Sequence, residues 1–300
     1  AGEVREAIIN KVSDCGGHLA SNLGMVELTI ALHYVFDSPK DKFVFDVSHQ
    51  TYCHKILTGR KDAFIEKESY QNVTGFSNPL ESEHDLFAVG HTSTSISLAC
   101  GLAKARDLRR ETENVIAIIG DASLDGGEAF EALNCASEIT GNLIVIINDN
   151  EMSIPENHGA LGKHLKDLRL SAGTLPNNFF KALGFQYLLV EKGNDIEAVI
   201  KALNHVKDTK VPVVVHVCTQ KGKGFKPAEE DKENWHWARP FDKETGKRKN
   251  PDVVENYGNI VAEHLLGKMK ENSEIAVIAA STPICIGFNK ERRELAGKQY

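Results

Sequence analysis

The apolar positions of this chain follow two rhythms. Predominantly apolar runs at 42–47, 115–119, 143–147, 185–190 and 211–217 read as buried strands. Between them lie longer stretches whose apolar residues recur three and four apart. These predict helices at 1–10, 26–36, 56–66 (with a loop), 96–105, 127–133, 162–170, 178–183, 195–205 and 253–269. A sixth strand is expected at 274–280. Strand and helix in alternation predict an α/β fold with a mostly parallel sheet flanked by helices. The run 226–252 is charged and irregular, with Trp235, His236 and Trp237 embedded in it. It is expected to link a first domain, 1–225, to the start of a second α/β domain, 253–300.

Polar residues gather where the apolar runs stop. The run 115–119 ends in Gly120-Asp121-Ala122-Ser123, and 143–147 ends in Asn148-Asp149-Asn150-Glu151-Met152. In a right-handed parallel crossover both tips emerge on one edge of the sheet. Asp121 and Asn150 are therefore expected to meet. A carboxylate, an amide oxygen and the Met152 backbone carbonyl make a hard oxygen set suited to Mg²⁺. Gly126-Gly127 opens the intervening helix, whose N-terminus can accept an anion. Ion and helix end together predict a diphosphate clamp.

Other loops carry candidate chemistry. Glycines frame His18 in Gly16-Gly17-His18-Leu19-Ala20-Ser21-Asn22-Leu23-Gly24, which predicts a tight loop aiming the imidazole at a cavity. His49 follows the run 42–47, at a strand end where open α/β sheets hold ligands. Gly90-His91-Thr92-Ser93-Thr94-Ser95 precedes a helix and offers anion contacts or N-caps. Thr219-Gln220-Lys221-Gly222-Lys223-Gly224-Phe225 lacks the Gly-Lys-Ser/Thr ending of a Walker A loop. His33, His54 and His216 read as structural, and His236 as either structural or substrate-facing.

Composition narrows the classes. The 300 residues carry 35 basic and 42 acidic side chains, a formal net charge of −7, which argues against a nucleic-acid partner. No apolar run is long enough to span a membrane, and no signal peptide is visible at the start of the sequence. The six cysteines form no CxxC pair, so zinc is not expected. They read as buried, reduced thiols in a cytoplasmic protein.

The motifs taken together resemble the 1-deoxy-D-xylulose-5-phosphate synthase family, a transketolase-like group that uses thiamine diphosphate. The resemblance lies in Gly120-Asp121 and Asn148-Asp149-Asn150-Glu151-Met152-Ser153-Ile154. It extends to the His18 loop, Asp46-Val47-Ser48-His49-Gln50, His54-Lys55-Ile56-Leu57-Thr58-Gly59-Arg60, the Gly90–Ser95 loop and Thr219 to Phe225. It implies a diphosphate-binding thiamine domain over 1–225 and the beginning of a pyrimidine-binding domain over 253–300. It implies Mg²⁺ on Asp121, Asn150 and the Met152 carbonyl. It places thiamine diphosphate against His49, Gly90, His91, Thr92, Ala122, Ser123, Asn150, Lys221 and Phe225. His18 and His49 would face the reacting carbon, as imidazoles of near-neutral pKa. The implied reaction condenses pyruvate with glyceraldehyde 3-phosphate and releases CO₂, in a homodimer. The activating glutamate is expected from the rest of the chain or a partner chain. A transketolase-type ketol transferase and a cofactor-binding subunit inactive alone are the alternatives. Ala122 stands where the family has glycine, Leu124-Asp125 replaces Met-Thr, and the 170–179 connection is shorter than the family's.

Overall fold

Five strands form at the five long-standing apolar runs, in a computed structural model that describes residues 1–152, 158–249, 256–279 and 282–300. They are β1 (Lys42–Phe45), β2 (Val115–Gly120), β3 (Leu143–Asp149), β4 (Gln186–Val190) and β5 (Val213–Cys218). All pair in parallel, in the order β1-β2-β3-β5-β4. The α/β fold expected from the pattern is the fold observed.

The strand periodicity sorts the core. Val115, Ala117 and Ile119 of β2 point into one cluster, covered by the helices Ser95–Arg109, Gly127–Ala136 and Gly159–Leu170. Ile116 and Ile118 point the other way, toward the helices Val26–Val35 and Ile196–Val206. Each such side chain, fully buried, contributes about 1.5–3 kcal/mol. With both faces covered, the central strands have no need of polar alternation, and that is why they read as continuous apolar runs.

A third cluster lies beyond the sheet. It joins Ile8 and Val12 of the helix Gly2–Cys15 to Leu19, Leu23, Tyr52 and Phe64. Phe225, Ala228, Ala238 and Phe241 complete it, with Trp235 packed against them. The run expected to be a linker thus folds onto the first unit as far as Lys249. Its aromatic rings outweigh its charges: Trp235 meets Phe225 and Phe241 edge-on at 5.2 and 4.8 Å. An isolated bridge ties Ala238 to Gly17.

The chain divides into two compact units, Ala1–Lys249 and Asn250–Tyr300. The second contains the helices Tyr257–Glu271 and Lys290–Ala296, packed through Ala262, Met269, Phe288 and Ala296. The strand expected over 274–280 does not form among the described residues 274–279, and among the described residues of that unit no neighbouring strand is present to share its hydrogen bonds. Its last residue, Ala280, lies outside the described residues, as do Ser153 and Ile154 of the motif and the expected helix start at Val253. No helix among the described residues is long and apolar enough to cross a membrane. All six cysteines are unpaired; Cys15, Cys135 and Cys285 are exposed rather than buried.

Candidate active site

The strand β1 delivers its loop through a strained turn. Val47 and Ser48 follow it at φ 56° and 68°, a region that a β-branched residue rarely occupies. The surroundings over-determine this backbone. The Ser48 hydroxyl donates to the Val89 carbonyl at 2.9 Å and accepts from Ser77 N–H at 2.9 Å. Thr51 Oγ1 donates to the Ser48 carbonyl at 2.7 Å. The Asp46 carboxylate accepts Ser93 N–H and Ser95 N–H, each at 2.9 Å, and so anchors the Gly90–Ser95 loop beside the same strand tip.

Three imidazoles converge at the end of this turn. His18 lies 4.9 Å from His49 and 5.6 Å from His236, ring centre to ring centre, and His49 lies 5.1 Å from His236. Phe76 walls the group, 5.6 Å from His18. Asn22 holds two of the loops together: its amide donates to the carbonyls of His18 at 2.7 Å and His49 at 2.8 Å. Its oxygen accepts Tyr52 N–H at 2.9 Å. Gly17 passes so close to Tyr52 that a Cβ there would lie 2.8 Å from the phenol oxygen.

Burial sets the protonation of this cluster. It pushes His18 down to about 4 and His49 to about 3, with His49 lowered further by its neighbours His18 and Lys221. His236 is lowered for the same reasons. The near-neutral imidazoles expected from sequence are therefore corrected: at pH 7 these rings are uncharged. An unfolded chain takes up protons below about pH 6.5 that folded His18 refuses until about pH 4 and His49 until about pH 3, with His236 lowered in the same direction. Stability is thus full above pH 6.5 and is lost as the pH falls, by about 1.4 kcal/mol per pH unit for each histidine. Thermal melts between pH 7 and pH 5 check this. The melting temperature is expected to fall with pH, and to fall less in His236→Gln; equal slopes would refute it.

The tips of β2 and β3 lie side by side, with Gly120 paired to Asn148 and Asp121 N–H donating to the Asn148 carbonyl at 3.2 Å. Asp121 is 3% exposed. Burial raises its carboxyl, and the adjoining Asp149 carboxylate raises it further. Ala122 takes φ −70°, where a Cβ is no obstacle. Thr219 brings the next loop in: its N–H donates to the Asp149 carbonyl at 2.9 Å and its hydroxyl to Asn148 Oδ1 at 2.6 Å. Lys221 follows, 2% exposed, its ammonium pushed down to about 8 by burial and supported by Asp121. It lies within electrostatic reach of both Asp121 and the histidines.

These groups suit a metal-bound diphosphate. Arg169 pairs with Asp149, while the charge of Asp121 is opposed by burial and by Asp149, a conflict that a divalent cation at Asp121 would relieve. The helix Gly127–Ala136 starts with no side-chain cap, leaving N–H donors for an anion. A Cβ on Gly126 would lie 1.9 Å from Ser93 Oγ, so glycine alone allows the Ser93 loop to approach. Open space surrounds Gly90, Gly120 and Gly127.

A family model described as 1-deoxy-D-xylulose-5-phosphate synthase matches residues 1–175 and 169–219. A 1-deoxy-D-xylulose-5-phosphate synthase of Pelotomaculum thermopropionicum is 41% identical over 318 residues, covering 94% of this chain and 50% of its own length. One from Listeria monocytogenes is 44% identical over 292 residues, covering 95% and 48%. The chain belongs to the 1-deoxy-D-xylulose-5-phosphate synthase family. It spans about half the length of these curated relatives. Solved transketolases share the fold: a variant from Pichia stipitis at TM-score 0.61 and 19% identity, covering 98% of this chain and 46% of that one. The enzyme from Campylobacter jejuni gives 0.59 and 19%, covering 98% and 45%. The two matched pieces of the 1-deoxy-D-xylulose-5-phosphate synthase model meet at the short 170–179 connection noted in the sequence.

Most residues that the family likeness singles out converge on one edge of the sheet. Asp121, Ala122, Ser123, Asn150 and Met152 stand on the two central tips. The Gly90–Thr92 loop is tied to Ser123 by Ser93, whose hydroxyl donates to the Ser123 carbonyl at 2.8 Å. His18, His49 and Lys221 stand beside them. Two stand apart from this group. His91 is exposed, its ring nitrogen bonded to the Thr92 carbonyl at 2.7 Å. Phe225 is 8% exposed and packs in the third core cluster, between Trp235 and Phe241, rather than with the other cofactor residues. His33, His54 and His216 are bonded partners in buried polar chains. Sequence reasoning missed Asn22, Asp46 and Phe76; only the glycine-rich or strand-end setting of the first two gave any signal.

Proposed function

We propose that this chain is the cofactor-binding part of a thiamine diphosphate- and Mg²⁺-dependent transferase that condenses pyruvate with glyceraldehyde 3-phosphate and releases CO₂. The single observation that carries the reading is the side-by-side tips of β2 and β3, which carry Asp121 and Asn150, beside a buried lysine and three clustered imidazoles. In this reading Asp121, Asn150 and the Met152 carbonyl hold Mg²⁺. The helix end at Gly127, Ser123, the Gly90–Thr92 loop and Lys221 hold the diphosphate. When bound, thiamine diphosphate supplies a nucleophilic thiazolium carbon and an electron sink. The chain's own part is to bind, orient and exclude water. His18, His49 and His236 offer ring N–H donors where a carbonyl oxygen gains charge. Phe76 keeps one wall apolar.

The remaining assignments follow the family. Residues 1–225 form the diphosphate-binding domain, with 226–249 folded onto it. Residues from 253 begin the pyrimidine-binding domain. The working enzyme is a cytoplasmic homodimer serving isoprenoid and thiamine biosynthesis. The glutamate that activates the aminopyrimidine comes from another segment or a partner chain.

Titration calorimetry of thiamine diphosphate into the protein, with Mg²⁺ and then with a chelator, tests the reading. Binding is expected with Mg²⁺ and not with the chelator. Absence of binding by a folded protein would overturn it.

A further inference from the structure

A polar chain crosses three strands of the sheet just below the ion-binding turn. Tyr187 on β4 and His216 on β5 are joined at 2.7 Å, phenol oxygen to Nδ1. His216 Nε2 lies 2.7 Å from Asp149 Oδ2 on β3. One tautomer satisfies both: Tyr187 O–H donates to Nδ1, and Nε2–H donates to the Asp149 carboxylate. Arg169 pairs with the same carboxylate and with Glu151. The other Asp149 oxygen, Oδ1, accepts Glu151 N–H at 3.1 Å. Glu151 sits at φ 64°, a left-handed position that a non-glycine residue keeps only when held. One residue along, Asn150 Oδ1 accepts Met152 N–H at 3.2 Å.

The sheet does not need this chain for packing. His216 is 0% exposed in an otherwise valine-rich strand, Val213–Cys218. A valine or leucine would fill the place without the cost of burying a polar ring, and buried polar groups are commonly neutral or unfavourable against apolar ones of like volume. What the imidazole does that leucine would not is orient a carboxylate. Burial alone would raise Asp149, yet the His216 bond and the Arg169 guanidinium hold it below the usual range.

We propose that Asp149, oriented by His216 and Tyr187, is a positioning residue that locks the turn through Glu151 so that Asn150 and the Met152 carbonyl face the ion. The inference rests on the Mg²⁺–diphosphate reading given above and adds to it an outer support reaching two strands away. Outer partners of this kind typically govern about 10–100-fold in metal affinity.

The test compares the parent protein with His216→Leu, His216→Gln and Tyr187→Phe. Each is titrated with Mg²⁺ in the presence of thiamine diphosphate, and each is melted without either. Glutamine can place an N–H near the former Nε2; leucine cannot. His216→Leu is expected to weaken Mg²⁺ about 10–100-fold while the unliganded protein melts within a few degrees of the parent. His216→Gln is expected to recover most of the affinity. Tyr187→Phe, which keeps the ring stacked on Phe180 at 5.8 Å, is expected to lose less than the leucine variant. Parent-like affinity in His216→Leu would overturn the proposal. So would a loss that appears only together with a lower melting temperature and that glutamine does not repair. If the parent itself binds no Mg²⁺ with thiamine diphosphate, the functional reading falls and this inference with it.

Discussion

Asp121→Asn is expected to abolish tight Mg²⁺-dependent binding of thiamine diphosphate while raising the melting temperature of the unliganded protein. The two effects have one cause. Asp121 is buried at the β2 tip against Asp149, and both burial and that neighbour oppose its charge. Arg169 and His216 already hold Asp149 in its charged form, so the opposition falls on Asp121. An amide of the same shape removes the conflict and leaves the backbone bond from residue 121 to the Asn148 carbonyl in place. The gain is of order 1 kcal/mol, or about 2–4 °C for a unit of this size. The same change deletes the only carboxylate among the three proposed ligands. The cost to Mg²⁺ affinity is expected to exceed the ~10–100-fold typical of losing an outer partner. Calorimetry with Mg²⁺ and a thermal melt of the unliganded protein read the two halves separately. Retained binding, or a lower melting temperature, would show that the carboxyl pair was not built around a cation. Sites that store strain or repulsion for a ligand commonly show this exchange of stability for function.

The sheet was legible because its strands are covered on both faces, so burial alone wrote them as apolar runs. The adjacency of the β2 and β3 tips was legible for a related reason: parallel crossovers of one hand leave little choice about which edge the tips share. What escaped was tertiary. The short helices Ala20–Gly24 and Tyr52–Lys55 are single turns with no periodicity to read, and the first is pinned from afar by Gly222 N–H on the Ala20 carbonyl. The run 226–249 looked like a linker because its charges are frequent, but two aromatic anchors, Trp235 and Phe241, decide where it lies. Phe225 was assigned by its place in a motif, and its ring turned inward to those anchors. Asp149 was read as the middle of an asparagine pair. Its partner His216 is 67 positions away, and no local pattern joins them. Protonation was misjudged because the ordinary pKa of an imidazole says nothing about three rings enclosed together.

His49→Ala is expected to lower the turnover of the assembled enzyme by roughly 10²–10³, with thiamine diphosphate affinity changed far less. The argument starts from an unpaired atom. The Nδ1 atoms of His49 and His236 are buried and have no hydrogen-bond partner among the described residues. Leaving such a group unpaired costs about 1–3 kcal/mol, so a fold that keeps two of them in one pocket has reserved them for something that binds there. Asn22 fixes the His49 backbone at its carbonyl, so the ring is presented rather than loosely attached. With its pKa pushed down to about 3, the ring is not an imidazolium at neutral pH and has no proton to give away in the ground state. In the proposed reaction it would act as a fixed N–H donor toward an oxygen that gains charge. Two consequences separate this from a structural role. The loss should fall on kcat with KM for pyruvate little changed. His49→Gln, which keeps an N–H in the pocket, should recover part of the rate. A turnover unchanged in His49→Ala, or lost only as cofactor affinity is lost, would assign the ring to packing and leave His18 and His236 to carry the donor role.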